Sequence, residues 1–194
     1  MPMLPLLIDV SRLRLLLAGN GAAALRRLRL LEQAGAVDLA VFSAAPSPEL
    51  AQAAGGRLSL HMPSAADLAH AQLVFLADLP RHERTILAAV CRAVGVIVHV
   101  EDEPALSDTQ MPAVLRRGAL TVAVSTGGAS PALAVQLRDF LGALFGPEWR
   151  ERLNELSRQR RAWRKAGAPP DAIAHLTGEW VRGRGWLPTP ATRH

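Results

Sequence analysis

The chain has 194 residues, of which 49% are hydrophobic, and its formal net charge is +5. This apolar content supports a packed core and excludes an intrinsically disordered chain. No apolar run reaches the roughly 20 residues of a membrane span, and the single cysteine, Cys91, excludes an internal disulfide framework. We therefore expect a cytoplasmic protein with no signal peptide and no membrane partner.

Arginine carries almost all of the positive charge, because Lys165 is the only lysine. Guanidinium groups bind carboxylates and phosphates through paired hydrogen bonds, so the composition suits an anionic small molecule. Nucleic acid is disfavoured as a partner because the chain has no tyrosine and few other aromatic residues to stack on bases. A general bias toward arginine would give the same composition, so charge alone leaves the ligand open.

Short apolar runs alternate with helical stretches over the first hundred residues. The pattern predicts strands at 13–17, 37–42, 58–61, 73–76 and 96–100, helices at 22–33 and 81–94, and a turn at 44–49. Strands and helices that alternate at this spacing form parallel β-α-β units with right-handed crossovers. The fold class is therefore predicted to be α/β, with a Rossmann-like parallel sheet.

The rhythm changes after residue 102. A short helix is predicted within 104–118, a strand at 120–125 and a helix at 131–145, which Ser130 caps and Pro131 opens. From residue 147 onward the sequence predicts only helices, and the last of them lies at 172–182.

A glycine-rich turn, Gly-Asn-Gly-Ala-Ala-Ala at residues 19–24, follows the first strand and opens the first helix. This order is typical of a dinucleotide loop, in which glycines let the backbone approach a pyrophosphate at a helix N-terminus. The alternative is a plain strand-to-helix turn. The second strand ends at Ser43 without an acidic residue for the ribose, so NAD and NADP are not distinguished. Candidate cofactor-binding residues are Gly19, Asn20, Gly21, Ala22, Ala23 and Ser43.

Two further turns follow predicted strands. Glu101, Asp102 and Glu103 follow the strand at 96–100, at the sheet edge where ligands bind in open parallel sheets. A carboxylate there could accept substrate protons or contact a metal, and His99 nearby could assist; the alternative is a solvated acidic turn. The segment 125–131, Ser-Thr-Gly-Gly-Ala-Ser-Pro, is either an anion-binding turn or a structural turn with a helix cap.

Taken in order, these segments resemble the N-terminal module of siroheme synthases and their single-function relatives. The matching segments are the apolar opening at 4–10, which resembles that family's opening strand, the glycine turn with its following basic pair, the acidic turn at 100–104, the segment 111–118 and, most specifically, 122–131. The resemblance spans most of the chain.

The resemblance implies NAD-dependent oxidation of precorrin-2 to sirohydrochlorin, and in some members insertion of ferrous iron. Asp102 matches the aspartate implicated in both activities, so it is the candidate catalytic base and, with His99, a candidate metal contact. The resemblance also implies a tetrapyrrole substrate, a homodimer and three parts: a cofactor domain at 1–103, a dimerisation segment at 104–146 and a helical domain at 147–194. It adds the cofactor candidates Ala77 and Asp78 and the substrate-binding candidates Ser125, Thr126, Gly127 and Gly128.

Several positions depart from the family pattern. Asn20 replaces a glycine, Ala77-Asp78-Leu79-Pro80 replaces Ala-Thr-Asp-Asp, Arg84 stands at an asparagine position, and His99 replaces another asparagine. These changes cluster where cofactor and substrate are expected to meet. Two alternatives to the dehydrogenase therefore stay open: a relative that only chelates iron or cobalt, and a non-catalytic tetrapyrrole- or nucleotide-binding protein.

Overall fold

A computed structural model describes residues 3–187 of the chain. The chain forms two compact units. The first runs to Met111 and includes Gly127–Ala129, and the second contains Pro112–Thr126 and the chain from Ser130 onward. The three-part division implied by the family resemblance stays a prediction.

The first unit contains a five-stranded parallel sheet with helices on both faces. Its strands lie in the order β3-β2-β1-β4-β5, and they are β1 (Arg14–Gly19), β2 (Asp38–Phe42), β3 (Leu58–Ser59), β4 (Leu73–Ala77) and β5 (Ile97–Val100). Its helices are α1 (Ala22–Gln33), α2 (Pro48–Ala54), α3 (Ala65–His70) and α4 (Arg81–Ala93). The predicted Rossmann-like α/β fold is confirmed.

The two faces of the sheet pack against different helices. Alternate side chains of β1, such as Leu15 and Leu16, point to opposite faces because the side-chain period of a strand is two. One face packs against α1 and α2, and the other packs against α3 and α4. The central strands are buried on both sides, which is why they read as continuous apolar runs in the sequence.

Two short helices, α2 and α3, were missed in the sequence, where only a turn was predicted at 44–49. Each carries a start signal that could have revealed it. Ser47 accepts a hydrogen bond from the Leu50 amide, and Ser64 forms a reciprocal capping box with Asp67. Both helices are too short for the apolar periodicity on which the other helix predictions rested.

The second unit pairs a hairpin with three helices. The antiparallel strands β6 (Ala113–Arg117) and β7 (Leu120–Val124) are followed by α5 (Pro131–Leu144), α6 (Trp149–Lys165) and α7 (Pro170–Gly183). Ser130 accepts from the Leu133 amide, so the predicted cap of α5 is confirmed. Among the described residues, we find no helix with the length and apolar character to cross a membrane.

The prediction of a short helix within 104–118 is wrong, because this segment instead borders β5 and then forms β6. The Asp108 amide donates to the Val98 carbonyl at 2.8 Å, and the Asp108 carboxylate accepts from the Val98 amide at 3.0 Å. Ser107 accepts from the Val100 amide at 2.8 Å. Side chains that bond the neighbouring strand compete with helix formation, and Pro112 favours extended backbone at Met111.

The opening segment also differs from expectation. Residues 4–9 form no strand, and Val10–Arg12 form a single 3-10 turn. Leu4, Leu6 and Leu7 are 79%, 69% and 81% exposed. A strand requires a neighbour to bond its amides, and within residues 3–187 this segment pairs with none.

We expect Gly19→Ala to destabilise the first unit. A Cβ at Gly19 would lie 2.1 Å from the Ala77 carbonyl oxygen and 2.8 Å from the Ala24 Cβ, so the backbone of β1 or β4 must shift. Overpacking of this kind costs about 1–3 kcal/mol of unfolding free energy, which urea denaturation would measure. Gly56→Ala is the control, because its Cβ would meet no atom within 4 Å. Equal unfolding free energies for the two variants would contradict the close packing.

Candidate active site

The glycine turn joins the carboxyl end of β1 to the start of α1. Gly19 is the last residue of β1, and Ala22 is the first residue of α1. Gly19 pairs with Ala77 in the β1–β4 register. The turn therefore lies where β1 and β4 end side by side. This is the topological switch point of the sheet, the position at which open parallel sheets bind ligands.

The carboxylate of Asp78 lies at the N-terminus of α1. It accepts hydrogen bonds from the Ala23 amide and from the Ala24 amide at 3.1 Å. Asp78 has a left-handed backbone with φ of 53°, a conformation that aspartate tolerates better than most residues. The amides expected to receive a cofactor phosphate thus already bind an anionic oxygen within the chain.

A second set of bonds holds the middle of the turn. The Ser43 hydroxyl donates to Asn20 Oδ1 at 2.7 Å, and the Ser47 amide donates to the Asn20 carbonyl at 2.7 Å. Ser43 is fully buried, so its contribution is to fix the turn against the end of β2.

These residues fit a dinucleotide in their backbone geometry. The α1 amides already bind a carboxylate oxygen, which is a stand-in for a phosphate oxygen. A Cβ at Gly21 would lie 3.1 Å from Asp78 Oδ2, so the absence of a side chain at Gly21 is what admits an anion there. The candidates Gly19, Gly21 and Ala23 are therefore brought together around one anion position.

The acidic turn follows β5 at the same edge of the sheet. The Glu101 amide bonds the Leu76 carbonyl at 2.9 Å, which extends the β4–β5 pairing to the turn itself. Asp102 is exposed and has a left-handed backbone with φ of 57°. Two strand spacings separate β1 from β5, so this turn begins about 10 Å across the sheet edge from the glycine turn.

Arginines from two helices hold the residues on either side of Asp102. Arg27 of α1 forms an ion pair with the Glu101 carboxylate. Arg84 of α4 donates from Nη1 to the Glu101 carbonyl at 3.3 Å, and its Nη2 lies 3.6 Å from Glu103 Oε1. Left-handed backbone has an intrinsic cost even for aspartate, and these contacts to Glu101 and Glu103 help to hold Asp102 in it.

His99 lies beneath the turn and is 7% exposed. Its Nε2 is 3.4 Å from Arg27 Nη2, and its Nδ1 is 3.2 Å from the Thr109 hydroxyl. Burial, and secondly the Arg27 guanidinium, lowers the pKa of His99, so the neutral ring predominates at pH 7. Its two ring nitrogens thus bond Arg27 and Thr109, which is a structural use of the side chain.

The metal candidates are Asp102 and His99. Among residues 3–187, no three His, Cys, Asp or Glu side chains group as a metal-binding set. His99 Nε2 faces the Arg27 guanidinium, which is an unfavourable neighbour for a cation.

The second glycine turn is held by its own residues. The Thr126 hydroxyl donates to the Ser130 carbonyl at 2.9 Å, and its oxygen accepts from the Ser130 amide at 3.1 Å. Gly127 and Gly128 have φ of 63° and 86°, a conformation that favours glycine. The turn therefore serves the structure, and the substrate-binding role of Ser125, Thr126, Gly127 and Gly128 stays a prediction.

Sequence reasoning missed the contributions of Arg27 and Arg84. In the sequence, Arg27 belongs to the basic pair that follows the glycine turn, and Arg84 is a departure from the family pattern. The available signal was the position of Arg27 next to Leu28 on the buried face of α1, since an arginine there needs a partner.

Comparison with known proteins places this geometry in a family. Residues 6–113 match the family model described as "Putative NAD(P)-binding", and residues 117–144 match the model described as "Sirohaem biosynthesis protein central". The first match alone covers more than half of the chain.

Curated relatives include two proteins named siroheme synthase. The one from Tolumonas auensis is 34% identical over 92% of this chain and 41% of its own length. The one from Chromobacterium violaceum is 32% identical over 95% of this chain and 43% of its own length. The chain thus spans less than half the length of these curated relatives.

A solved structure, that of the precorrin-2 dehydrogenase SirC, has the same fold. It superimposes with a TM-score of 0.72 and 23% identity, covering 92% of this chain and 89% of that chain. Together, the two family models and the relatives named siroheme synthase show that the chain belongs to the family of siroheme synthase NAD(P)-binding modules.

Proposed function

We propose that the chain oxidises precorrin-2 to sirohydrochlorin with NAD. The observation that carries this proposal is Asp102, an exposed carboxylate at the same sheet edge as the glycine turn. Its neighbours Glu101 and Glu103 are bonded by Arg27 and Arg84. The name of the SirC structure and those of the curated relatives support the choice of substrate. The family supports NAD(P), and NAD rather than NADP is part of the proposal.

The chain's own residues would form the cofactor-binding site and supply the base. The amides at the start of α1 would bind the cofactor phosphates, and Gly21 leaves room for them. Bound NAD would supply the acceptor for the hydride that the oxidation removes. Asp102 would accept the accompanying proton from the macrocycle, and its exposure lets that proton pass on to solvent.

Arginine side chains near the acidic turn suit the carboxylates of a tetrapyrrole. Arg81, the first residue of α4, has an 83% exposed side chain, and its Nε lies 3.9 Å from Glu103 Oε1. Its guanidinium can bind a substrate carboxylate from solvent, whereas Arg84 is largely buried and bonded to the turn. We therefore assign Arg81 a role in substrate binding and Arg84 a role in positioning Asp102.

A homodimer is proposed from the surface of α5. An apolar stripe, defined by Leu133, Leu137, Phe140 and Leu144, recurs every three or four residues along this helix. Phe140 and Leu144 are 62% and 58% exposed. A continuous apolar stripe on a helix marks a surface that another protein covers, and the family resemblance makes a second copy the natural occupant.

A second candidate function is ferrous-iron chelation without oxidation. The occupation of the α1 amides by Asp78 favours it, because chelation needs no nucleotide. In that reaction Asp102 would accept the pyrrole protons that the entering iron displaces. Anaerobic absorbance distinguishes the two, since the oxidation requires NAD and chelation requires only sirohydrochlorin and Fe²⁺.

We expect Asp102→Asn to lower kcat for NAD-dependent precorrin-2 oxidation at least about 100-fold, because the amide cannot accept the proton. Anaerobic absorbance at the sirohydrochlorin bands measures the rate, and circular dichroism checks the fold. Asp38→Asn is the control, since Asp38 starts β2 at the opposite end of the sheet. A fully active Asp102→Asn would refute the role of Asp102 as base.

We expect Arg84→Ala and Arg81→Ala to differ in their kinetics. Loss of Arg84 frees the backbone around Asp102 and should lower kcat roughly tenfold with little change in KM. Loss of Arg81 should raise KM for precorrin-2 with little change in kcat. Arg84→Lys should restore part of kcat, because the ammonium group can still bond Glu101 or Glu103. An unchanged kcat in Arg84→Ala would contradict the positioning role.

We expect Phe140→Glu to convert the dimer into a monomer, because a charged side chain in an apolar interface is left without a partner. Light scattering coupled to gel filtration measures the mass. Ile86→Glu on α4 is a matched control, since Ile86 is 60% exposed and lies in the first unit. A dimeric Phe140→Glu would rule out α5 as the interface.

A further inference from the structure

We infer that Asp78 competes with the dinucleotide for the N-terminus of α1 and so weakens cofactor binding by this chain. This inference rests on the proposed function, because it concerns the nucleotide seat that the proposed oxidation uses. Asp78 thus sets cofactor affinity from a position outside the glycine turn itself.

The geometry gives the carboxylate the place of a phosphate. One oxygen of Asp78 bonds both the Ala23 and the Ala24 amides, and the same oxygen lies 3.1 Å from where a Cβ of Gly21 would be. A cofactor pyrophosphate would place one of its oxygens at the same position, bonded to two helix amides and facing the second glycine of the turn.

Two anions cannot share this position. The amides at a helix N-terminus carry a partial positive charge that suits one negative group. A second negative group beside the first would be repelled by it. The amide donors would also be occupied already. A pyrophosphate must therefore displace the carboxylate, and the free energy of the two Asp78 hydrogen bonds is subtracted from that of cofactor binding.

Displacement is structurally feasible. Asp78 is an exposed residue, and it follows the last residue of β4. Its side chain can rotate into solvent without moving the strand. The closed turn is thus a low-affinity state that nucleotide opens, rather than a permanent block.

The rest of the turn is also bonded within the chain. Asn20 accepts from the Ser43 hydroxyl on one side, while Asp78 holds the α1 amides on the other. A turn whose polar groups are already paired loses these bonds when a ligand enters, and ligand binding is weaker by that amount.

The test is the dissociation constant of NAD, measured by calorimetry on the full chain. Asp78→Asn removes the charge and tolerates the left-handed backbone, and Asp78→Ala removes the competing oxygen. We expect both to bind NAD more tightly than the wild type, with Asp78→Ala gaining roughly tenfold or more, the size of effect of hydrogen bonds to a charged group. Asp38→Asn, which changes the net charge equally at the far end of β2, should bind as the wild type does.

A second measurement follows the amides without any nucleotide. Hydrogen exchange read by NMR should be faster at the Ala23 and Ala24 amides in Asp78→Ala than in the wild type, because these amides lose their acceptor. Saturating NAD should slow exchange at the same two amides in the variant. A general fall in stability would instead speed exchange across the whole of α1.

The outcomes separate the two proposals. Equal NAD affinity in the wild type and both variants overturns the competition and leaves the proposed oxidation intact. Tighter NAD binding by the variants without NAD-dependent precorrin-2 oxidation supports the competition and counts against the proposed function. Absence of NAD binding in all variants, including Asp78→Ala, overturns both.

Discussion

The contact between Gly19 and the end of β4 is the constraint on which the proposed nucleotide site depends. With no side chain at Gly19, the Ala77 carbonyl and the Ala24 methyl both lie where a Cβ would be. This approach brings the first turn of α1 within hydrogen-bonding reach of the residue that follows β4, which is Asp78. The anion position at α1 exists because β1, β4 and α1 pack so closely at Gly19 that no side chain fits between them.

A similar dependence governs the acidic turn. Asp102 sits in a left-handed conformation that has an intrinsic cost, and its neighbours Glu101 and Glu103 are bonded from α1 and α4 by Arg27 and Arg84. Arg27 also lies over the Phe75 ring at 5.4 Å. The helix whose first amides form the proposed nucleotide site thus also helps to hold the acidic turn. One packing arrangement therefore supports both the proposed cofactor site and the proposed base.

Two departures from the family pattern acquire a physical meaning in this arrangement. Arg84 and His99 belong to the set of side chains that pack around the acidic turn, where Arg84 bonds the Glu101 carbonyl and His99 bonds Arg27. The departure at Asp78 lies at the other turn, where its carboxylate accepts from the Ala23 and Ala24 amides. These departures therefore lie at the proposed cofactor site and beside the proposed base.

The sequence by itself determined the parallel sheet and most of its elements, because buried strands and amphipathic helices leave a local periodicity. It also located both turns, since glycine and strand-end positions are local signals. It did not reveal that Asp78 bonds α1, or that Arg27 bonds Glu101, because each pair is more than 50 residues apart and meets only after the strands take their order. The short helix expected within 104–118 failed for the same reason: its polar side chains bond β5, which only the tertiary structure brings beside them.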